Sequence, residues 1–151
     1  MINITITGAE AISSRISGII SRLADLTPAF ETIRGSFWDI EEEQFSSEGG
    51  FSGGWQQLSP GYDAWKKTVA PGMPILQLSG DLMRSLTGQS DGTIAEISPM
   101  EARFGTSFSR GLEHQTGKDR LPARPPLEIT DEHRQQWVQL IEQYINGGGA
   151  V

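Results

Sequence analysis

The sequence has no cysteine, which excludes a disulfide framework, a thiolate metal site and a cysteine nucleophile. It has no run approaching the ~20 apolar residues a membrane helix needs, so no membrane partner is expected. The opening MINITITGAE carries no basic region and no long apolar stretch; a signal peptide is not expected, and the chain is read as soluble and cytoplasmically made. Basic residues are scarce: 12 Lys and Arg face 19 Asp and Glu, for a net charge of −7. That balance opposes general affinity for nucleic acid, which needs a basic face. Hydrophobic residues are also few, at 36%, while glycine is frequent at 18 of 151. The expectation is one domain over 1–151 with a modest core, a large share of loop and a multi-subunit setting.

What charge there is lies unevenly. Residues 103–124 hold Arg103, Arg110, Lys118, Arg120 and Arg124 against Glu113 and Asp119, so this segment is +3 and the rest is −10. A basic loop on an acidic body suits head-to-tail binding between copies, although a solvated loop without a partner has the same composition. The loop HQTGKDRLPARPPLEIT, 114–130, is stiffened by three prolines. Glu41, Glu42 and Glu43, with Glu48 beyond them, crowd the end of a helix where the dipole disfavours negative charge. They are either a solvated helix end or an acidic patch awaiting a basic partner.

Periodicity supplies the elements. Ile2, Ile4 and Ile6 alternate with polar residues and predict a strand over 2–7. Thr7 and Glu10 form a capping-box pattern opening a helix striped by Ile12, Ile16, Ile19, Ile20, Leu23 and Leu26. Thr27-Pro28 restarts a second helix with Phe30, Ile33, Phe37 and Ile40. Flexible loops are expected near 46–61, where Phe51 and Trp55 are odd unless they insert somewhere, and near 107–126. A short helix is expected at Tyr62–Lys67, and Ser79 is read as the cap of another that Gly88 ends. Thr93–Ser98 and Ala102–Thr106 read as a β-hairpin. Thr130 caps a last helix that Asn146-Gly147 ends. The fold class is α+β: a small mixed domain with an N-terminal strand, two N-terminal helices, a hairpin, long loops and a C-terminal helix.

No catalytic constellation emerges. The two histidines, His114 and His133, lie nineteen residues apart with no helical ligand spacing. Glu113 and His114 are neighbours on what reads as a loop or strand end, and diverge. No phosphate loop, nucleophile elbow or dinucleotide fingerprint is present. No metal, cofactor or enzymatic activity is expected. A small hydrolase using Glu113, His114 and Asp119, or a nucleic-acid module using 103–124, are the different-class alternatives.

Several ordered segments carry a resemblance. They are Trp55-x-x-Leu58-x-x-x-Tyr62-x-x-Trp65-Lys66 and Pro74-x-Leu76-x-x-Ser79-Gly80-x-Leu82-x-x-Ser85, then Phe104-Gly105-Thr106, His114-Gln115-x-Gly117 and Pro122-Ala123-Arg124-Pro125-x-Leu127. Together they resemble the phage virion morphogenesis, or Mu-like tail completion, proteins. The chain departs from that pattern at Pro126, where an aromatic is common, and at Phe108-Ser109, where Tyr-Ala is frequent. The resemblance implies a structural protein of a tailed phage or prophage, situated in the virion at the neck or tail end. It implies a ring of copies, often sixfold in related families, touching connector, neck and tail proteins, with DNA passing the lumen. A capsid-assembly factor not retained in the virion is the alternative within the same setting. In this picture Arg124, held between Pro122 and Pro125, braces one subunit against acceptors such as Glu41–Glu43 on the next. The internal alternative is that Arg124 pairs within its own domain.

Overall fold

A computed structural model describes residues 8–147 of the chain. The expected strand over 2–7 and the Thr7 cap lie outside the described residues. The elements run α1 (Ala9–Ala24), α2 (Thr27–Ser46), a 3-10 turn (Gly50–Ser52), α3 (Pro60–Val69), α4 (Asp81–Leu86), β1 (Thr93–Ser98), β2 (Glu101–Thr106), α5 (Ser109–Thr116) and α6 (Asp131–Ile145). The fold is a small mixed α+β domain, mostly helical, with one two-stranded antiparallel sheet among the described residues.

The spine is α2. Its helical period brings Ala29, Ile33, Phe37, Ile40 and Phe45 to one buried face. Helices α4 and α6 and the hairpin pack against it. Phe37 stacks on Phe104 of β2 with centroids 5.6 Å apart. Phe45 meets Trp55 edge-on at 5.3 Å, and Leu82, Leu86 and Ile75 complete the core. Across the hairpin Thr93 faces Thr106 and Ser98 faces Glu101, so the turn falls at Pro99-Met100 as the sequence predicts.

Helix ends show where local rules are kept and where they slip. At α6 Thr130 Oγ1 accepts from His133 N at 3.2 Å while His133 Nδ1 accepts from Thr130 N at 3.3 Å, a reciprocal capping box with a histidine in the third position. Helix α1 opens instead on Gly8 in the left-handed region, with no side-chain cap. At α2 the expected Thr27 cap is replaced by Asp25, whose Oδ1 accepts from Thr27 N at 3.0 Å. At α4 the cap position belongs to Gly80, and the Ser79 hydroxyl donates to the Asp81 carboxylate at 2.6 Å. Ser79 therefore braces the first turn from one residue outside it.

Two further differences matter for function. Residues 109–116, expected inside a loop, form α5. The apolar stripe of α1 is present as predicted, but no residue of that helix is buried.

Candidate partner-binding groove

Between α3, the segment before α4, α5 and the proline-rich loop lies a groove of about 690 Å³. Its lining includes Leu58, Tyr62, Lys66, Leu76, Ser79, Leu82, His114, Pro122 and Arg124, drawn from all four of the motif segments nearest it. Residues as far apart in sequence as Leu58 and Arg124 thus converge on one concave surface.

The walls are built from backbone bonds made by side chains. Arg124 is 5% exposed. Its Nε donates to Gln56 O at 2.6 Å and a terminal nitrogen donates to Gln57 O at 3.0 Å. Its own N–H donates to His114 O at 2.8 Å. The rigid guanidinium fork suits two adjacent carbonyls, and the flanking prolines reduce the entropy lost in holding it there. Its place in the domain therefore matches the internal alternative, not a surface reaching toward another copy. One residue on, Pro125 O accepts from Trp55 Nε1 at 2.8 Å and from Gln44 Nε2 at 3.0 Å. Trp55 and Gln44 are both buried, so the two ends of the groove wall are pinned to the core.

The rest of the loop is clamped similarly. Gln115 Nε2 donates to Leu127 O at 2.9 Å, and Leu127 N donates back to Gln115 Oε1 at 3.2 Å. Lys118 and Leu121 exchange both backbone bonds around a tight turn. Gly117 sits at φ 73°, and a Cβ there would stand 3.0 Å from Ala123 N. Only glycine fits that crossing. On the opposite wall the Lys66 ammonium is buried and donates to Pro74 O. Burial holds its pKa below the ordinary lysine value, against the pull of Glu48 and Asp63. Glu48 in turn accepts from Ile75 N at 2.7 Å.

His114 lines the groove from α5. Burial lowers its pKa first, with Arg124 and Arg110 adding to the effect and Glu113 opposing it. A neutral imidazole results at neutral pH. Its Nδ1 is buried with no hydrogen-bond partner among the described residues. Glu113 is engaged by Lys118 at 3.1 Å. Among the described residues no group of three His, Asp or Glu could hold a metal ion.

The charged residues singled out from sequence part company. Arg103 pairs with Glu101 at 2.8 Å on the exposed hairpin. Arg110 reaches Asp81 only at 3.9 Å, and Arg120 has no carboxylate within 4 Å among the described residues. Both of these line the groove and are exposed, so they form its cationic lip. Of the acids, Glu42 and Glu43 are exposed, but Glu41 is fully buried on the core face of α2. Neither Glu41 oxygen has a partner among the described residues, and burial pushes its carboxyl up to about 8. The acidic run is therefore not one patch. Of the motif residues, Trp65 points outward and its ring lies 5.3 Å from Tyr62. Gly80 starts α4, and Trp55, Gln115, Gly117 and Pro125 support the walls.

Sequence reasoning missed Gln44, which bonds Phe51 N, Ser52 Oγ and Pro125 O. Its position seven residues after Phe37 placed it on the buried face, a signal its polarity obscured. Phe51 finds a partner as well, meeting the His133 ring edge-on at 4.8 Å.

The model of the phage virion morphogenesis family matches residues 8–146. The chain belongs to that family. A search of the curated proteins and of the solved structures finds no match. Family membership gives the groove its setting, the assembly of a phage particle. No described helix is long and apolar enough to cross a membrane.

Proposed function

We propose that this family member is a structural, non-enzymatic component of the phage particle that completes the tail or joins it to the head at the neck. It acts as one subunit of an oligomeric ring, sixfold as the working number, in contact with connector or tail proteins. The observation that carries the reading is the convergence of the ordered motif segments on one groove. Its floor is apolar, its walls are fixed by Arg124, Trp55 and Gln115, and its lip presents Arg110 and Arg120.

Such a surface fits a partner segment with apolar side chains and carboxylates. Pre-formed walls lower the ordering cost of docking, and two exposed guanidiniums on an acidic chain favour a partner of opposite charge. Glu42 and Glu43 supply such charge on a neighbouring copy.

Electron microscopy of lysates from a phage with this gene disrupted tests the placement. Full heads beside unjoined tails are expected. Empty or misshapen heads would move the role to capsid assembly, and normal infectious particles would overturn it. Mass spectrometry of purified virions should find the chain retained.

A further inference from the structure

Two helices carry apolar stripes that nothing in the described chain covers. On α1, Ile12, Ile16, Ile20 and Leu23 are 45–62% exposed. At 100° per residue they share an arc of about 80°. This helix is held chiefly at its C-terminal end, where Arg22 Nε donates to Ile145 O at 2.8 Å and Tyr144 OH donates to Asp25 O at 2.9 Å. The preceding turns stand away from the core, with no buried residue. On α3, Tyr62, Trp65 and Val69 are 43–54% exposed along one side. One turn after Tyr62, Lys66 anchors that helix through Pro74, at the edge of the groove that Tyr62 also lines.

We propose that α1 of one copy lies along the outer face of α3 of the next copy, a head-to-tail contact. The inference deepens the assembly reading and rests on it for its setting. Each stripe leaves roughly 300–400 Å² of apolar surface bare, at the size where a contiguous patch marks a contact. Joining the two, with their polar margins, reaches the lower range of specific interfaces at about 1,000 Å² in total. A contact of α1 with α1 would leave α3 uncovered on both copies; α1 on α3 covers both faces by one operation.

Charge permits the approach. Helix α1 carries only Glu10, Arg15 and Arg22 as charged residues, and Arg22 is already engaged with α6. Serines and alanines flank its stripe. On α3 the exposed Asp63 and Lys67 neutralise each other at 2.6 Å. Little desolvation of unpaired charge opposes the contact. Since the two faces differ, repetition generates a ring or a helical row, not a closed pair.

Light scattering and sedimentation of the full purified chain test this, beside Ile16→Glu and Val69→Glu. Both substitutions are at exposed positions, and circular dichroism should report an unchanged fold. Wild type is expected to form concentration-dependent oligomers, and each variant to lose about tenfold or more in association. Mixed at equal amounts, the variants should form a one-to-one dimer and stop there, because each retains one intact face. A mixture that stays monomeric, a wild type that never associates, or a Val69→Glu chain that associates as wild type would each overturn the contact. So would Ile16→Glu lowering Tm without changing the mass, which means the stripe is covered within its own chain. These results are read on the isolated chain, so they leave the particle-level test of the assembly role independent.

Discussion

Glu41 concentrates the energetic tension of the domain in one side chain, because a carboxyl with two unpartnered oxygens sits at full burial on the spine helix. With its pKa pushed up to about 8, it holds a proton in the folded state at neutral pH, whereas the unfolded chain releases one above the ordinary 4.5. Between those values the native state binds more protons than the unfolded state, so stability falls as pH rises through that window. The penalty from this group is absent below about 4.5 and complete above about 8, at up to about 1.4 kcal/mol per pH unit. Thermal melts of wild type should show Tm declining from pH 5 to pH 8, and Glu41→Gln should flatten that decline. Glu41→Met removes both orphaned oxygens while keeping volume and should stabilise by about 1–3 kcal/mol at pH 8. A Met variant less stable than wild type would mean the carboxyl has an unseen partner. The sequence shows Glu41 on the same face as Phe37 and Phe45, so its burial follows from the helical period. Its charge obscured the signal, since glutamates near a helix end ordinarily face water.

At the scale of elements, legibility followed the length and chemistry of each signal. The hairpin was readable because Thr93–Ser98 and its partner bracket a proline turn, and α6 because a long stripe follows a capping threonine. Helix α5 was not. It has eight residues, and Gly111 interrupts the pattern in its first turn, where a Cβ would meet Thr106 Cγ2 at 2.7 Å. Close packing on β2 selects that glycine against helical propensity, a tertiary demand invisible in local sequence. The crossing after α5 depends likewise on Gly117, whose φ of 73° and ψ of 155° suit glycine almost alone. Gly117→Ala should cost about 1–3 kcal/mol from the backbone conformation. Hydrogen exchange should localise the loss, with the Arg124 amide, bonded to His114 O, exchanging faster. Unchanged protection there would mean the loop tolerates a different path.

Over the whole molecule, the segregation of charge was legible, but its use was not. A +3 segment on a −10 body suggested five basic residues facing outward. Folding spends Arg124 on the Gln56 and Gln57 carbonyls and Glu41 on the core, and pairs Arg103 and Lys118 with nearby carboxylates. Of the residues singled out by that segregation, the exposed ones without a close ion pair are Arg110 and Arg120 among the bases and Glu42 and Glu43 among the acids. This sharpens what charge reversal should do. Replacing Glu41 with Lys would bury an ammonium and unfold the chain, so a triple reversal of the run cannot separate assembly from folding. The pair Glu42→Lys with Glu43→Lys touches only exposed positions and should leave the unfolding free energy within about 1 kcal/mol of wild type. If these acids meet the groove lip of a neighbouring copy, complementation of a disrupted phage by that pair should lower particle yield. Adding Arg110→Glu and Arg120→Glu to the same chain should restore it, because the opposed charges are exchanged. The restored contact should also weaken with salt, since exposed charges are screened beyond about 8–10 Å at 0.1–0.15 M ionic strength. Full yield from the first pair alone would detach the acids from assembly and leave the cationic lip to a neck or tail protein. Loss without restoration would place Arg110 and Arg120 against a different partner from Glu42 and Glu43.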